Sequence, residues 1–149
     1  MNVPGLRSPF HKTGGLFYFG RMLDKIRLHA KGELPADYQP NLGKGFDARC
    51  LAFLGIDYAA LRDRVLAGGS DEEILEWCRA NGTPRSAEDV ALLNAFLRKF
   101  GWNDEASATL KRRLAEGGFT HRHDIQTIFD YIDLDEGRDP ANRTSNPWE

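Results

Sequence analysis

Three observations predict an all-α protein, a compact orthogonal bundle of about six to seven short helices in a single domain. Apolar residues recur at helical spacing almost without interruption from Phe46 to Ile132. Capping residues and glycines stand where each apolar pattern starts and stops. The intervening connections are short, which favours angled packing of short helices over long parallel coils.

The first helix is expected over Leu16–Lys31, ending near Gly32. At about 100° per residue, Phe19, Met22, Leu23, Ile26 and Ala30 share one side, and Arg21, Asp24 and Lys25 gather on the other. Leu28 and Phe17 sit among those charges, so both sides of this helix are expected to be covered. Gly32–Gly45, with Pro35 and Pro40, is too broken for a helix and is expected to form a loop holding at most a short hairpin. A loop this long in a compact domain is more often functional or mobile.

Phe46, Cys50, Phe53 and Leu54 form the next face, closed by Gly55. Asp57 is placed to cap a helix with Tyr58, Leu61 and Val65 inward, stopped by Gly68-Gly69. Ser70 with Glu73 fits a capping box ahead of Ile74, Leu75, Trp77 and Cys78. Ser86 opens the most amphipathic stretch, with Val90, Leu93, Phe96, Leu97 and Phe100 on one arc. Asn103 restarts the chain with Ala106, Leu110 and Leu114 inward, and Thr120 is placed to cap a last helix carrying Ile125, Ile128, Phe129 and Ile132. The expected organisation is an extended arm over residues 1–15, a helical domain over 16–137 and a polar tail over 138–149.

Composition narrows the function classes. The 149 residues are 41% hydrophobic and 28% charged with a formal net charge of -2, so no global field draws the chain to nucleic acid or an anionic membrane. No stretch approaches the roughly 20 apolar residues that cross a bilayer, and the start has no signal-peptide core, so a cytoplasmic location is expected. Cys50 and Cys78 lie on apolar faces outside any CxxC motif and read as small buried hydrophobes.

Several motifs fail on inspection. His121 and His123 diverge on a helix and no cluster has zinc spacing, so no metal and no cofactor is expected. The acidic run Asp130–Glu136 lacks the glycine and glutamate positions of a calcium loop, and its carboxylates at a helix C-terminus oppose the helix dipole. Lys111-Arg112-Arg113 has acidic neighbours and no interleaved aromatics, and reads as a solvated face.

Two neighbouring segments survive as a candidate site. Leu42-Gly-Lys-Gly45 leads into the helix at Phe46, where backbone amides offer donors to an anion, although Asp47 in the first turn competes for them. Arg21, Asp24 and Lys25 lie within one turn, and His29 follows Lys25 by four residues. Salt-bridged surface is the ordinary reading of such a group, but partial burial makes charges costly unless they are paired or used. The expectation is therefore a polar pocket between the first helix and residues 38–49. Arg21, Lys25, Tyr38, Lys44 and Arg49 would hold an anionic small molecule, with Asp24, His29 and Asp47 as candidates for proton transfer. No nucleophile–base pair is legible, so no reaction is named and the chain is not assigned as an enzyme. The alternative is a non-catalytic interaction module or homodimer whose partner covers Phe17, Leu28 and the charged face.

GGLFYFGRMLDKIRLHAKGELPADYQPNLGKGFDARCLAFLGID, SDEEILEWCRANG and IFDYIDLDEGR resemble a bacterial family known as domain of unknown function 5069, over roughly Leu6–Arg138. The resemblance implies that Arg21, Asp24, Lys25 and the LGKGFD segment belong to one recurring design. It brings no activity, cofactor or catalytic residue with it.

Overall fold

In the computed structural model, which describes residues 1–149, helices dominate and the only sheet is a two-stranded hairpin. Strand β1 (Lys12–Thr13) pairs antiparallel with β2 (Leu16–Phe17), and α1 spans Phe19–Ala30. A 3-10 helix at Ala36–Asn41 precedes α2 (Phe46–Leu54), α3 (Tyr58–Leu66) and α4 (Asp71–Asn81). Then come α5 (Ala87–Lys99), α6 (Ser107–Glu116) and α7 (Ile128–Asp135), and a final 3-10 turn at Pro140–Asn142. No helix is long and apolar enough to cross a membrane.

The hairpin lies in the expected arm, not in Gly32–Gly45, and Leu16-Phe17 is strand where the first helix was expected to begin. The reason is Gly14-Gly15. Both glycines take positive φ, 55° and 82°, the backbone that a two-residue hairpin turn requires. Asn94 of α5 then fixes the hairpin, accepting the Phe17 N–H at 3.0 Å and donating to the Gly15 carbonyl at 2.7 Å. Gly32–Gly45 coils into the 3-10 helix because Pro35 sets an extended entry and no β-branched residue favours a strand there.

Helix α1 is the axis of the fold. Nine of its residues are buried, including Arg21, Asp24 and Lys25. Phe19, Met22, Leu23 and Ile26 enter a main core with Cys50 and Leu54 of α2, Leu61 of α3, Ile74 and Cys78 of α4, and Leu97 of α5. Its opposite side is covered by the chain's own start. Leu28 packs there with Val3, Leu6 and Leu34, whereas Phe17 joins the main core, edge-on to Phe10 at 5.6 Å. Leu28 and Phe17 are thus both covered within the chain. Gly20 permits this crossing, since a Cβ there would stand 2.7 Å from the His11 ring and 3.1 Å from the Arg7 guanidinium.

Phe129 of α7 is wholly buried, with the Phe10 and Phe46 rings each 5.1 Å away. The expected caps at Asp57, Ser70 and Ser86 are present, the two serines within complete capping boxes. The last helix is capped by Thr127, not Thr120, because Phe119–Gln126 makes successive turns first. The tail is docked. Arg143 donates to Asp130 at 2.8 Å and Asp133 at 2.9 Å, and Trp148 lies under Arg98 at 4.8 Å.

Candidate functional site

Buried ion pairs build the wall of one cavity. From Tyr18, positions 18, 21 and 25 share a face of α1, at spacings of three and seven. Arg21 donates two parallel hydrogen bonds of 2.7 Å to Glu136 at the end of α7. Glu136 also accepts from Tyr38 at 2.9 Å and from Arg138. Burial alone would push the Glu136 carboxyl up, but the Arg21, Tyr38 and Arg138 donors prevail and hold it below its ordinary value.

One turn along, Lys25 Nζ lies 2.7 Å from Asp47 Oδ1 and 3.1 Å from the Tyr18 hydroxyl, which itself donates to Asp47 Oδ1 at 2.7 Å. The other oxygen of Asp47 accepts the Gly43 N–H at 2.9 Å. Asp47 therefore turns inward to bind its own loop and α1, leaving the start of α2 free. Burial lowers the Lys25 pKa against the opposing pull of Asp47, and burial followed by the Asp47 charge raises that of Tyr18 well above its ordinary value. Tyr18 has φ 71°, a left-handed backbone rare for a residue with a side chain. Its N–H is held by the Pro9 carbonyl at 2.9 Å and its carbonyl by the Met22 N–H at 3.0 Å.

These groups open on a cavity of about 820 Å³ between α1, the 3-10 helix, the start of α2, and helices α6 and α7. Arg21, Lys25, Tyr38, Lys44 and Arg49 all line it. Lys44, Gly45, Phe46 and Arg49 bring the positive end of α2 to its wall. The Arg49 guanidinium lies over the rings of Phe96 and Phe100, 4.9 and 4.8 Å from their centroids, and takes part in none of the structure's ion pairs. Asp37, Glu105, Glu116 and Asp135 contribute negative charge to the same wall.

Of the three residues nominated for proton transfer, Asp24 and His29 lie off the cavity wall and Asp47 stands directly behind it. Asp24 is gripped by Arg7 Nε at 2.9 Å and Nη2 at 3.0 Å, in a network with Arg27 and Asp71. It is a counter-ion that ties the arm to α1 and α4. His29 is exposed at the end of α1, off the cavity wall. Asp47 is fully buried behind Lys25 and reaches the cavity only through Lys25 and Tyr18. Tyr18, Arg113 and Glu136 also form the wall and went unnoticed in the sequence. The seven-residue spacing of Tyr18 and Lys25 was a usable signal. Nothing local links Glu136 to Arg21, 115 residues away.

The family profile of a domain of unknown function, DUF5069, matches residues 3–138. The chain belongs to that family. Among curated proteins none matches it. The family span holds α1, the α2 start and Glu136, and stops short of Arg143 and Trp148. The constellation around Lys25 thus falls wholly within the family's domain, whereas part of the tail's docking falls outside it.

Proposed function

We propose that this protein binds an anionic small molecule in the cavity beside α1, with its carboxylate or phosphate at the start of α2. One observation carries the reading: Arg49 is fixed over two aromatic rings on the wall of a large cavity, and its guanidinium has no carboxylate partner. A guanidinium presents a planar fork of donors that matches carboxylate and phosphate, and stacking restricts it before any ligand arrives. Lys44 adds a second cation, and the backbone amides of Gly45 and Phe46 lie at the same helix end. The volume suits a metabolite-sized occupant. Arg21 and Lys25, already matched to Glu136 and Asp47, shape the floor and contribute little net charge.

A thermal-shift titration with inorganic phosphate and a panel of mono- and dicarboxylates tests this. A ligand present at about 100 times its Kd should stabilise the native state by about 2.7 kcal/mol. Arg49→Ala combined with Lys44→Ala should abolish the shift while moving the unliganded midpoint little, since both side chains are exposed. Anions that stabilise the double variant as strongly as the parent would refute the assignment.

A further inference from the structure

We propose that Lys25 is a carbonyl-condensing amine, forming an imine with an aldehyde or 2-oxo acid whose anionic group is held at the start of α2. The proposal rests on the binding reading above and adds the chemical class of the ligand.

The first ground is the choice of residue. Every other ion pair in the structure uses arginine, and only the pair with Asp47 uses lysine. Arginine suits a buried pair that only holds structure together, because it is always charged and forks onto a carboxylate. Lysine gives up its proton more readily when buried, and its free amine is a nucleophile.

The second ground is placement. Lys25 is 4% exposed, and that remnant lies on the cavity wall. Its ammonium has three N–H groups and two protein partners, Asp47 and Tyr18, so one donor is left for an occupant. The third ground is Tyr18, whose hydroxyl bridges Lys25 and Asp47 from a left-handed backbone. Strained backbone of this kind clusters at functional sites, and here it seats the one hydroxyl that touches both ends of the pair.

The protons balance within the cluster. Lys25 ammonium gives one proton to the Asp47 carboxylate, and the freed amine attacks the carbonyl carbon. The C–N bond forms as the C=O π bond breaks, and the oxygen takes a proton relayed from the nitrogen through the Tyr18 hydroxyl. The Asp47 proton, passed through Tyr18, then converts that hydroxyl to water, which leaves as the C=N bond forms. The products are a protonated imine on Lys25, one water and a regenerated Asp47 carboxylate, with no outside reactant. The amine's basicity is lowered first by burial and raised by Asp47, with smaller contributions from Arg21 and Cys50.

Reductive trapping tests it on the full chain. The protein is incubated with glyoxylate, reduced with cyanoborohydride, digested and mapped by mass spectrometry. The expected adduct is on Lys25, in excess over the exposed Lys31 and Lys99. Tyr18→Phe should slow trapping on the order of 10²-fold, with its helical circular dichroism retained. Glycolate, which keeps the carboxylate but has no carbonyl, should compete. Labelling of Lys25 no greater than that of Lys31 overturns the proposal. If glycolate and oxalate stabilise the protein but Lys25 is not trapped, the anion site stands and the imine falls. If Lys25 is trapped equally well in Arg49→Ala and no anion stabilises the protein, the imine stands and the anion site falls.

Discussion

At the scale of single residues, the acidic end of α7 makes the buried charges intelligible. Asp133 in the last turn of α7 and Glu136 at its C-cap work against the helix dipole, whereas Asp130 in its first turn works with it. Each is the counter-ion of an arginine arriving from elsewhere: Asp130 meets Arg143, Asp133 meets Arg138 and Arg143, and Glu136 meets Arg21 and Arg138. The spacing of these acids was plain in the sequence, but their purpose was not, because every partner but Arg138 is ten or more residues away. The helical face shared by Arg21 and Lys25 was legible for the opposite reason, since helix geometry is local. Glu136 carries a pH prediction. Its folded-state pKa lies below the ordinary 4.5, so the native state binds fewer protons there than the unfolded chain. Its stabilisation is therefore present above the ordinary value and is lost as pH falls through the lower folded value. Asp71, held down by Arg7 and Arg27 against its burial, follows the same sign. Urea midpoints measured from about pH 6 to about pH 3 should fall steadily. Glu136→Gln should cost about 3 kcal/mol at neutral pH and converge on the parent in acid, because it mimics the protonated side chain. Parallel curves for the two proteins would disprove this role for Glu136.

Among the elements, the helices were legible where their signals are short-range. Capping boxes at Ser70 and Ser86 satisfy amides three residues away, and the glycines after α2 and α3 end the helices in place. The arm and the tail were not legible, because their order comes from side chains that meet partners far along the chain. Arg7 reaches Asp71 across 64 residues, and Arg143 reaches back to α7 across ten or more. Read alone, RDPANRTSNPWE is a polar, proline-punctuated segment; in place, Asp139 accepts two bonds from Arg122 and caps the Pro140 turn. Arg143→Ala removes the bonds to α7 and the contact over Phe10 at 5.0 Å. The cost should be about 1–2 kcal/mol, since Asp133 keeps Arg138. Limited proteolysis should then cut after residue 138 markedly faster than in the parent, with the fragment before the cut remaining helical. An unchanged cleavage rate would mean that Trp148 and Arg122 suffice to hold the tail.

On the scale of the molecule, α1 joins what would otherwise be separate cores. The main cluster lies on one side of it, the small cluster of Val3, Leu6, Leu28 and Leu34 on the other, and α7 ties the third cluster in through Phe129 and Ile128. That a helix apolar on one side and mixed on the other must be covered on both was a sound sequence inference. What covered it depended on the path of the whole chain. Cys50 and Cys78 measure how cooperative the result is. Both are fully buried in the main cluster, on α2 and α4, and are not joined to each other. Burial raises both thiols, that of Cys78 to about 11, so neither carries appreciable thiolate near neutrality. A disulfide-exchange reagent should reach them only when the main core opens. Because both thiols lie in one cluster with Leu61, Ile74 and Leu97, opening α2 without α4 would leave apolar surface of that shared core in water. Labelling in mild urea should therefore proceed at one rate for both cysteines, with the urea dependence of global unfolding. A faster reaction at Cys50 alone would show α2 detaching by itself, and with it the wall that carries Lys44 and Arg49.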